Sequence, residues 1–362
     1  MKARMPLVLI LLLILASCTK AEALNQTVNV GCSEDLDGVI NSDPAASATH
    51  FQLESCEYIV SDTAVLRSGD SISGPVGPQV EVGPALYGEP TAKLVGDTTN
   101  QVLRSVGTGI RIEWIDVSGG DGEIDLSKPK SECLNAQTTE GCPVNGTGVG
   151  IATGDADGTT LIRYVFVHDN DARGLGGANG RVLHSHFTSN TLVKGFLGYS
   201  GAGVMGTQEF ESAYNYIHDN QGNGIYSTNA HSVDGDIPEM ASNPNGGYWH
   251  HDNVVVNNGR WGIRYEISPR DAEEGERLRT PTFQAESNRL AGNGKGGASM
   301  ADAQNGKFIS NYFGEQTIAS VEYPSNGGNL AIAFIDSGRS DRTDLYNAKA
   351  IRNTLGGEYI AE

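Results

Sequence analysis

After its first residues the chain has no long apolar run. Leu7 to Leu15 is almost unbroken Leu, Ile and Val, and no later stretch approaches the length a helix needs to cross a bilayer. Positive charge is scarce: 25 Lys and Arg against 44 Asp and Glu leave a formal charge of −19. So acidic a chain argues against a nucleic-acid partner and against binding polyanions by bulk charge, although a locally basic groove remains compatible with it. Amphipathic helical periodicity is scarce too, which argues against a bundle or a helical repeat. Cysteine is limited to 5 residues with no Cys-x-x-Cys pair, an arrangement that disfavours a zinc site. Glycine, by contrast, is plentiful at 47 residues, and asparagine is frequent; both suit many tight turns.

The N-terminus reads as a targeting segment. Lys2 and Arg4 precede the apolar run, and Leu15-Ala16-Ser17-Cys18 follows it. A basic start, an apolar stretch and small residues before a cut describe a secretory signal. Leu-Ala-Ser-Cys resembles the bacterial lipobox, which implies lipidation of Cys18, a membrane anchor and an extracytoplasmic location. Thr19 after the cysteine resembles lipoproteins sorted to an outer membrane, where the host has one. Removing residues 1–17 takes Lys2 and Arg4 away and moves the charge from −19 to −21. Residues 18–30 read as a tether and 31–362 as one domain, with a cap at about 31–62, regular coils at about 64–313 and C-terminal coils or cap at 317–362. Outside the cytoplasm, Cys32, Cys56, Cys133 and Cys142 are expected to form disulfides, nearest neighbours paired.

The main organising signal is a recurring hexad. Val165-Phe-Val-His-Asp-Asn170, Ser185-His-Phe-Thr-Ser-Asn190, Asn215-Tyr-Ile-His-Asp-Asn220, Asn253-Val-Val-Val-Asn-Asn258 and Asn288-Arg-Leu-Ala-Gly-Asn293 share one frame, and Asn311 opens a degraded copy. First positions are separated by 20, 30, 38, 35 and 23 residues, a solenoid spacing with insertions. Third positions are apolar (Val167, Phe187, Ile217, Val255, Leu290, Phe313) and are expected to stack inside. The sixth-position asparagines Asn170, Asn190, Asn220, Asn258 and Asn293 are expected to take left-handed turns and to bond from coil to coil. A Gly-apolar pair then restarts a strand: Gly174-Leu175, Gly195-Phe196, Gly224-Ile225, Gly262-Ile263. The pattern implies an all-β, single-stranded parallel β-helix. Long insertions are expected at 119–158, 229–247 and 268–284.

The stretches at 214–229 and 251–268, with Val65-Leu-Arg-Ser-Gly-Asp-Ser-Ile-Ser-Gly74, resemble the right-handed parallel β-helix proteins of the pectin-lyase-like superfamily. That resemblance covers roughly residues 32–313. It implies a carbohydrate partner and, for an enzyme, lyase or epimerase action on uronate polysaccharide, in which an arginine or lysine takes the C5 proton. The compact catalytic signatures of pectate lyases, the paired aspartates of pectin hydrolases and the Asp-Pro-His run of alginate epimerases are absent, so no activity is inherited residue by residue.

Candidate chemistry gathers near one coil. If Ile263 points inward, Arg264 and Glu266 share the outer face by the two-residue period, and Tyr226 and Thr228 lie beside them one coil earlier. Arg264, Glu266 and His251 are the candidate catalytic residues. Tyr226, Thr228, Arg260 and Trp261 are the candidate substrate contacts, since arginine suits a uronate carboxylate. The bland alternative is a surface ion pair, worth under about 1 kcal/mol. A noncatalytic binder needs only aromatic and polar display from Tyr226, Trp249 and Trp261. His168 and His218 recur at one hexad position, which favours a structural turn; His231 and His250 are less regular. No cofactor is required, but Asp155 and Asp157, with Asp121, Glu123, Asp125, Asp234 and Asp236, offer oxygens to Ca2+.

Overall fold

Each of the five complete hexads folds into one short strand bounded by two sharp corners. The structure, a computed structural model, describes residues 26–44, 48–97, 99–122, 148–156, 160–190, 201–228, 247–266, 283–301, 306–314, 331–335, 348–355 and 358–359. In each coil the hexad strand is followed by a second and a third strand. All pair in parallel with their counterparts one coil away, so the chain winds around three faces. Tyr216–His218 on the first face pairs with Val254–Val256. On the second, Ile225 pairs with Ile263 within strands Asn223–Thr228 and Trp261–Glu266. On the third, Tyr248–His251 pairs with Phe283–Glu286. Two long strands, Arg173–Leu183 and Ala202–Ala213, run across both the second and third faces.

Alternation places one row per face inside. On the first face the row is Leu94, Val117, Val167, Phe187, Ile217, Val255, Leu290 and Phe313, all fully buried. On the second it runs Leu103, Ile151, Leu175, Val204, Ile225, Ile263 and Ala298. Fully burying each such aliphatic or aromatic side chain is worth about 1.5–3 kcal/mol. After the hexad at 185–190 the strand restart is Gly203-Val204. Gly195-Phe196, expected to serve there, lies outside the described residues.

The corners correct one expectation. Ladder asparagines do not take the left-handed conformation; the residue before each does. Asp169, Ser189, Asp219 and Asn257 have φ of 51°, 53°, 52° and 57°, and Gly292 has 66°. The turn thus frees each asparagine amide to face inward and point along the axis. Asn170, Asn190, Asn220 and Asn258 each donate through Nδ2 to Oδ1 of the next asparagine at 2.8, 3.0, 2.9 and 3.0 Å, ending on Asn293. A second ladder occupies the other corner: Asn215, Asn253, Asn288 and Asn311 donate in turn at 2.9, 3.0, 2.9 and 3.0 Å, ending on Asn353. Its asparagines open the hexads, so the repeat contained it.

The ends also differ from expectation. Gln26–Val30, placed in the tether, is a strand paired with Thr49–Leu53. Helix Leu36–Ser42 covers the N-terminal opening: Asp35 caps it by accepting from the Gly38 amide at 3.3 Å, and Leu36 and Ile40 are buried beneath. The Cys32–Cys56 disulfide ties this cap together; Cys133 and Cys142 lie outside the described residues. Within the expected 119–158 insertion, Val149–Ala156 is a strand of the second face, with a register shift between Ala152 and Asp155. In the segment expected to hold C-terminal coils or a cap, coil pairing continues: Ala350 pairs with Phe308, and Asn353 accepts from Asn311.

Candidate functional site

The spacing argument for the second face holds. Tyr226 pairs with Arg264 and Thr228 with Glu266 in the strand register. Arg264 donates to Glu266 Oε2 from Nε at 2.9 Å and from Nη2 at 2.6 Å, and the Tyr226 hydroxyl donates to the same oxygen at 3.3 Å. The bland reading of this group as a surface pair fails, because Arg264, Glu266 and Tyr226 are only 7%, 2% and 4% exposed. These side chains point away from the core and are nevertheless sealed from water. Trp261, which opens the same strand, and Arg260 just before it are buried as well. Burial, reinforced by the Glu266 charge, pushes the Tyr226 phenol well above its ordinary pKa.

Sequence reasoning missed Arg173. It lies on the second face in the row Arg173, Ala202, Asn223, and burial lowers its pKa to about 10 while the Tyr226 side chain opposes that shift. The signal was present, since Arg173 precedes Gly174-Leu175 just as Trp261 precedes Gly262-Ile263.

His251 does not join this group. Its strand belongs to the third face, where it pairs with Ala213 and Glu286. There His251 Nδ1 bonds Asp252 Oδ2 at 2.8 Å and Nε2 faces Glu211 Oε1 at 3.3 Å. Arg181 grips the same Glu211 carboxylate from Nε at 2.8 Å and from Nη2 at 3.2 Å. Trp249 stacks on the imidazole with ring centroids 4.0 Å apart. Burial opposes a charge on His251, but the bonds to Glu211 and Asp252 outweigh it and raise the pKa. The neighbouring His250 points into the core, where its Nε2 lies 2.8 Å from Ser227 Oγ and burial drives its pKa down to about 3. The three candidate catalytic residues are therefore split between two faces.

Among the described residues no group of three or more His, Cys, Asp and Glu is arranged to hold a metal ion. The backbone of Asp155 lies in a second-face strand, while Asp157, Glu123, Asp125, His231, Asp234 and Asp236 lie outside the described residues, as does Cys18. No described helix is long and apolar enough to cross a membrane.

No family model matches the chain, and no characterised protein matches it by sequence. Solved structures do resemble it. The Dettilon tailspike protein superposes with a TM-score of 0.51 at 16% identity, over 91% of this chain and 62% of the tailspike. The present chain thus spans less than two thirds of that protein's length. A mannuronan C-5 epimerase A-module of Azotobacter vinelandii gives 0.44 at 12% identity, covering 88% of this chain and 92% of the module. Pectate lyase Pel9A gives 0.42 at 9%, covering 91% and 79%. The tailspike superposition and the parallel strand register together show that the chain is an all-β parallel β-helix.

Proposed function

We propose that this protein is an extracytoplasmic lipoprotein, anchored through Cys18, whose β-helix binds an acidic polysaccharide on its second face. One observation carries the reading. Along that face from Arg173 to Glu266, the described charged residues are three arginines, Arg173, Arg260 and Arg264, and one carboxylate, Glu266. Such a local cationic surplus, set beside Tyr226 and Trp261 in a chain of charge −19, suits a ligand that brings its own carboxylates. The named activities of the epimerase and lyase neighbours are consistent with a saccharide but carry no site to this chain.

A second reading, lyase or epimerase action, is favoured by the Tyr226 hydroxyl 3.3 Å from Glu266 and next to Arg264. That grouping places a proton-transfer residue beside a cation able to stabilise charge developing next to a uronate carboxylate. The deep burial of Arg264 and its engagement with Glu266 count against Arg264 as a proton-transfer group. The test incubates the full chain with a panel of uronate polysaccharides, with and without Ca2+, and follows the ultraviolet absorbance of unsaturated product alongside pull-down of each polymer. Retention of a polymer that Arg264→Ala abolishes, without product, supports the binder. Product formation lost in Arg264→Ala and Tyr226→Phe establishes the enzyme, and neither retention nor product on any polymer rejects both. Mass spectrometry of the mature N-terminus tests the anchor, with diacylated Cys18 expected.

A further inference from the structure

The N-terminal end of the third face carries a group of polar side chains that polysaccharide binding on the second face does not use. Strand Thr49–Leu53 pairs with Ser71–Ser73, which pairs in turn with Arg111–Glu113. Phe51, Ile72 and Ile112 are fully buried, so alternation turns His50 and Gln52, Ser71 and Ser73, and Arg111 and Glu113 outward. The register sets His50 beside Ser71 and Gln52 beside Ser73. Asp70, only 1% exposed, fastens the two strands just before these residues: its carboxylate accepts the amides of Thr49 at 3.0 Å and of Arg67 at 2.7 Å.

The hydrogen bonds fix where the hydrogens lie. Gln52 Nε2 donates to the Ser73 carbonyl at 3.1 Å, which turns Gln52 Oε1 toward His50 Nε2 at 3.2 Å. An amide oxygen only accepts, so Nε2 of the neutral imidazole carries the hydrogen and Nδ1 the lone pair. The Ser73 hydroxyl agrees with this assignment, lying 3.3 Å from His50 Nε2 and donating to Gln52 Oε1 at 3.3 Å. Nδ1 is then the acceptor for the Ser71 hydroxyl at 2.9 Å. A hydroxyl that donates to an imidazole, with the other ring nitrogen held by a third side chain, is the arrangement of nucleophile, base and orienting group used in acyl transfer. All three members sit on paired strands, and neither His50 nor Ser71 is buried, so the hydroxyl is open to a substrate.

We propose that Ser71, His50 and Gln52 form an esterase centre on the third face, acting on short acyl esters of a polar alcohol. Ser71 Oγ attacks the ester carbonyl carbon, and its proton passes to His50 Nδ1. The tetrahedral intermediate expels the alcohol, which takes that proton from His50. Water then attacks the acyl-serine and gives a proton to Nδ1; the carboxylic acid leaves as that proton returns to Ser71 Oγ. Ester and water are the only reactants consumed. Arg111 lies next to Ser71 in the register, exposed and without an ion-pair partner among the described residues, and is placed to stabilise the oxyanion. Glu113, by contrast, is engaged by Arg163. The surroundings set the substrate class. On the far side of His50 and Gln52 the register places Thr27 and Asn29, so the strip is polar on both sides and offers no apolar slot for a long acyl chain.

The test gives the full chain p-nitrophenyl acetate and p-nitrophenyl octanoate and follows release of p-nitrophenolate. A second sample is treated with phenylmethylsulfonyl fluoride and mapped by peptide mass spectrometry. Acetate should be hydrolysed in preference to octanoate, and the sulfonyl group should sit on Ser71. Ser71→Ala and His50→Gln should each lower kcat/KM by about 100-fold or more. Gln52 is a positioning residue: Gln52→Ala should lower kcat and leave KM unchanged, while Gln52→Glu, which keeps an acceptor for Nε2, should recover kcat. Far-UV circular dichroism confirms that each variant folds. Wild-type hydrolysis no faster than that of Ser71→Ala, or sulfonylation that leaves Ser71 unmodified, would overturn the site. Octanoate cleaved as fast as acetate would overturn the substrate class. Labelling of the wild type alone decides the matter should the variants misfold.

Discussion

The second and third faces of the helix both carry arginine–glutamate pairs on outward-pointing side chains, yet they solve different problems. Arg264 and Glu266 have side chains 9% and 2% exposed, whereas Arg163 and Glu113 on the third face keep 43% and 19%. A pair open to solvent is screened and gains little, while a sealed pair has already lost its hydration and depends on its partner. The difference teaches that outward direction on a β-helix does not mean exposure, and that a charge is informative where water has been removed from it.

The sharpest way to break this comparison is Glu266→Gln. It leaves Arg264 buried without its counter-charge, and urea unfolding should show a loss of about 3–5 kcal/mol; a loss below 1 kcal/mol would put the two faces on the same footing. Next comes the corner that joins the first face to the second. Asn220→Ala removes the acceptor of Asn190 and the donor to Asn258, and stranding those buried groups should cost about 1–3 kcal/mol. Third is a pH experiment on consecutive residues of one strand. Histidine in the unfolded chain titrates near 6.5. The raised pKa of His251 means its contribution is complete below that value and fades as pH rises through the higher folded pKa, so the stability gap between wild type and His251→Gln should narrow in that range. His250, lowered to about 3, acts in the opposite sense: its contribution is present above about 6.5 and declines as the pH falls toward 3. The His250→Asn variant should therefore lose less stability on acidification than wild type. Smallest is Arg163→Ala on the open face, expected to cost under about 1 kcal/mol and to vanish at high salt.

Contacts between consecutive coils were legible in the sequence, because a repeat encodes its own register. The third hexad positions, the Asn170-to-Asn293 ladder and the pairing of Tyr226 with Arg264 all follow from alignment alone. Less legible was anything that skips coils or depends on where an insertion ends. Hairpin Gln79–Gly88 leaves the N-terminal coils and reaches the Leu86 amide to the Tyr214 carbonyl at 3.1 Å, a contact no periodicity announces. His251 was grouped with Arg264 and Glu266 as a candidate acid or base, but the residues between His251 and Arg264 turn through two corners, so it lies on another face. The sealed state of Arg264 was hidden for a related reason: alternation gives direction, while burial depends on what crosses over the face. The recurrence of His168 and His218 suggested a structural turn, and the turn is there; Nε2 of the first meets Asp116 and that of the second meets His186, which alignment left as one hexad residue among others.

The two asparagine ladders run in the same direction, each Nδ2 reaching toward the next coil. Bonds in such a column are loaded in series when the molecule is stretched along its length. Among the described residues bonds of the first column run from Asn170 to Asn293 and those of the second from Asn215 to Asn353, so the coils from Asn215 to Asn293 are held at two corners at once. Under mechanical tension those coils should yield together, because neither column can lengthen there without the other sharing the load.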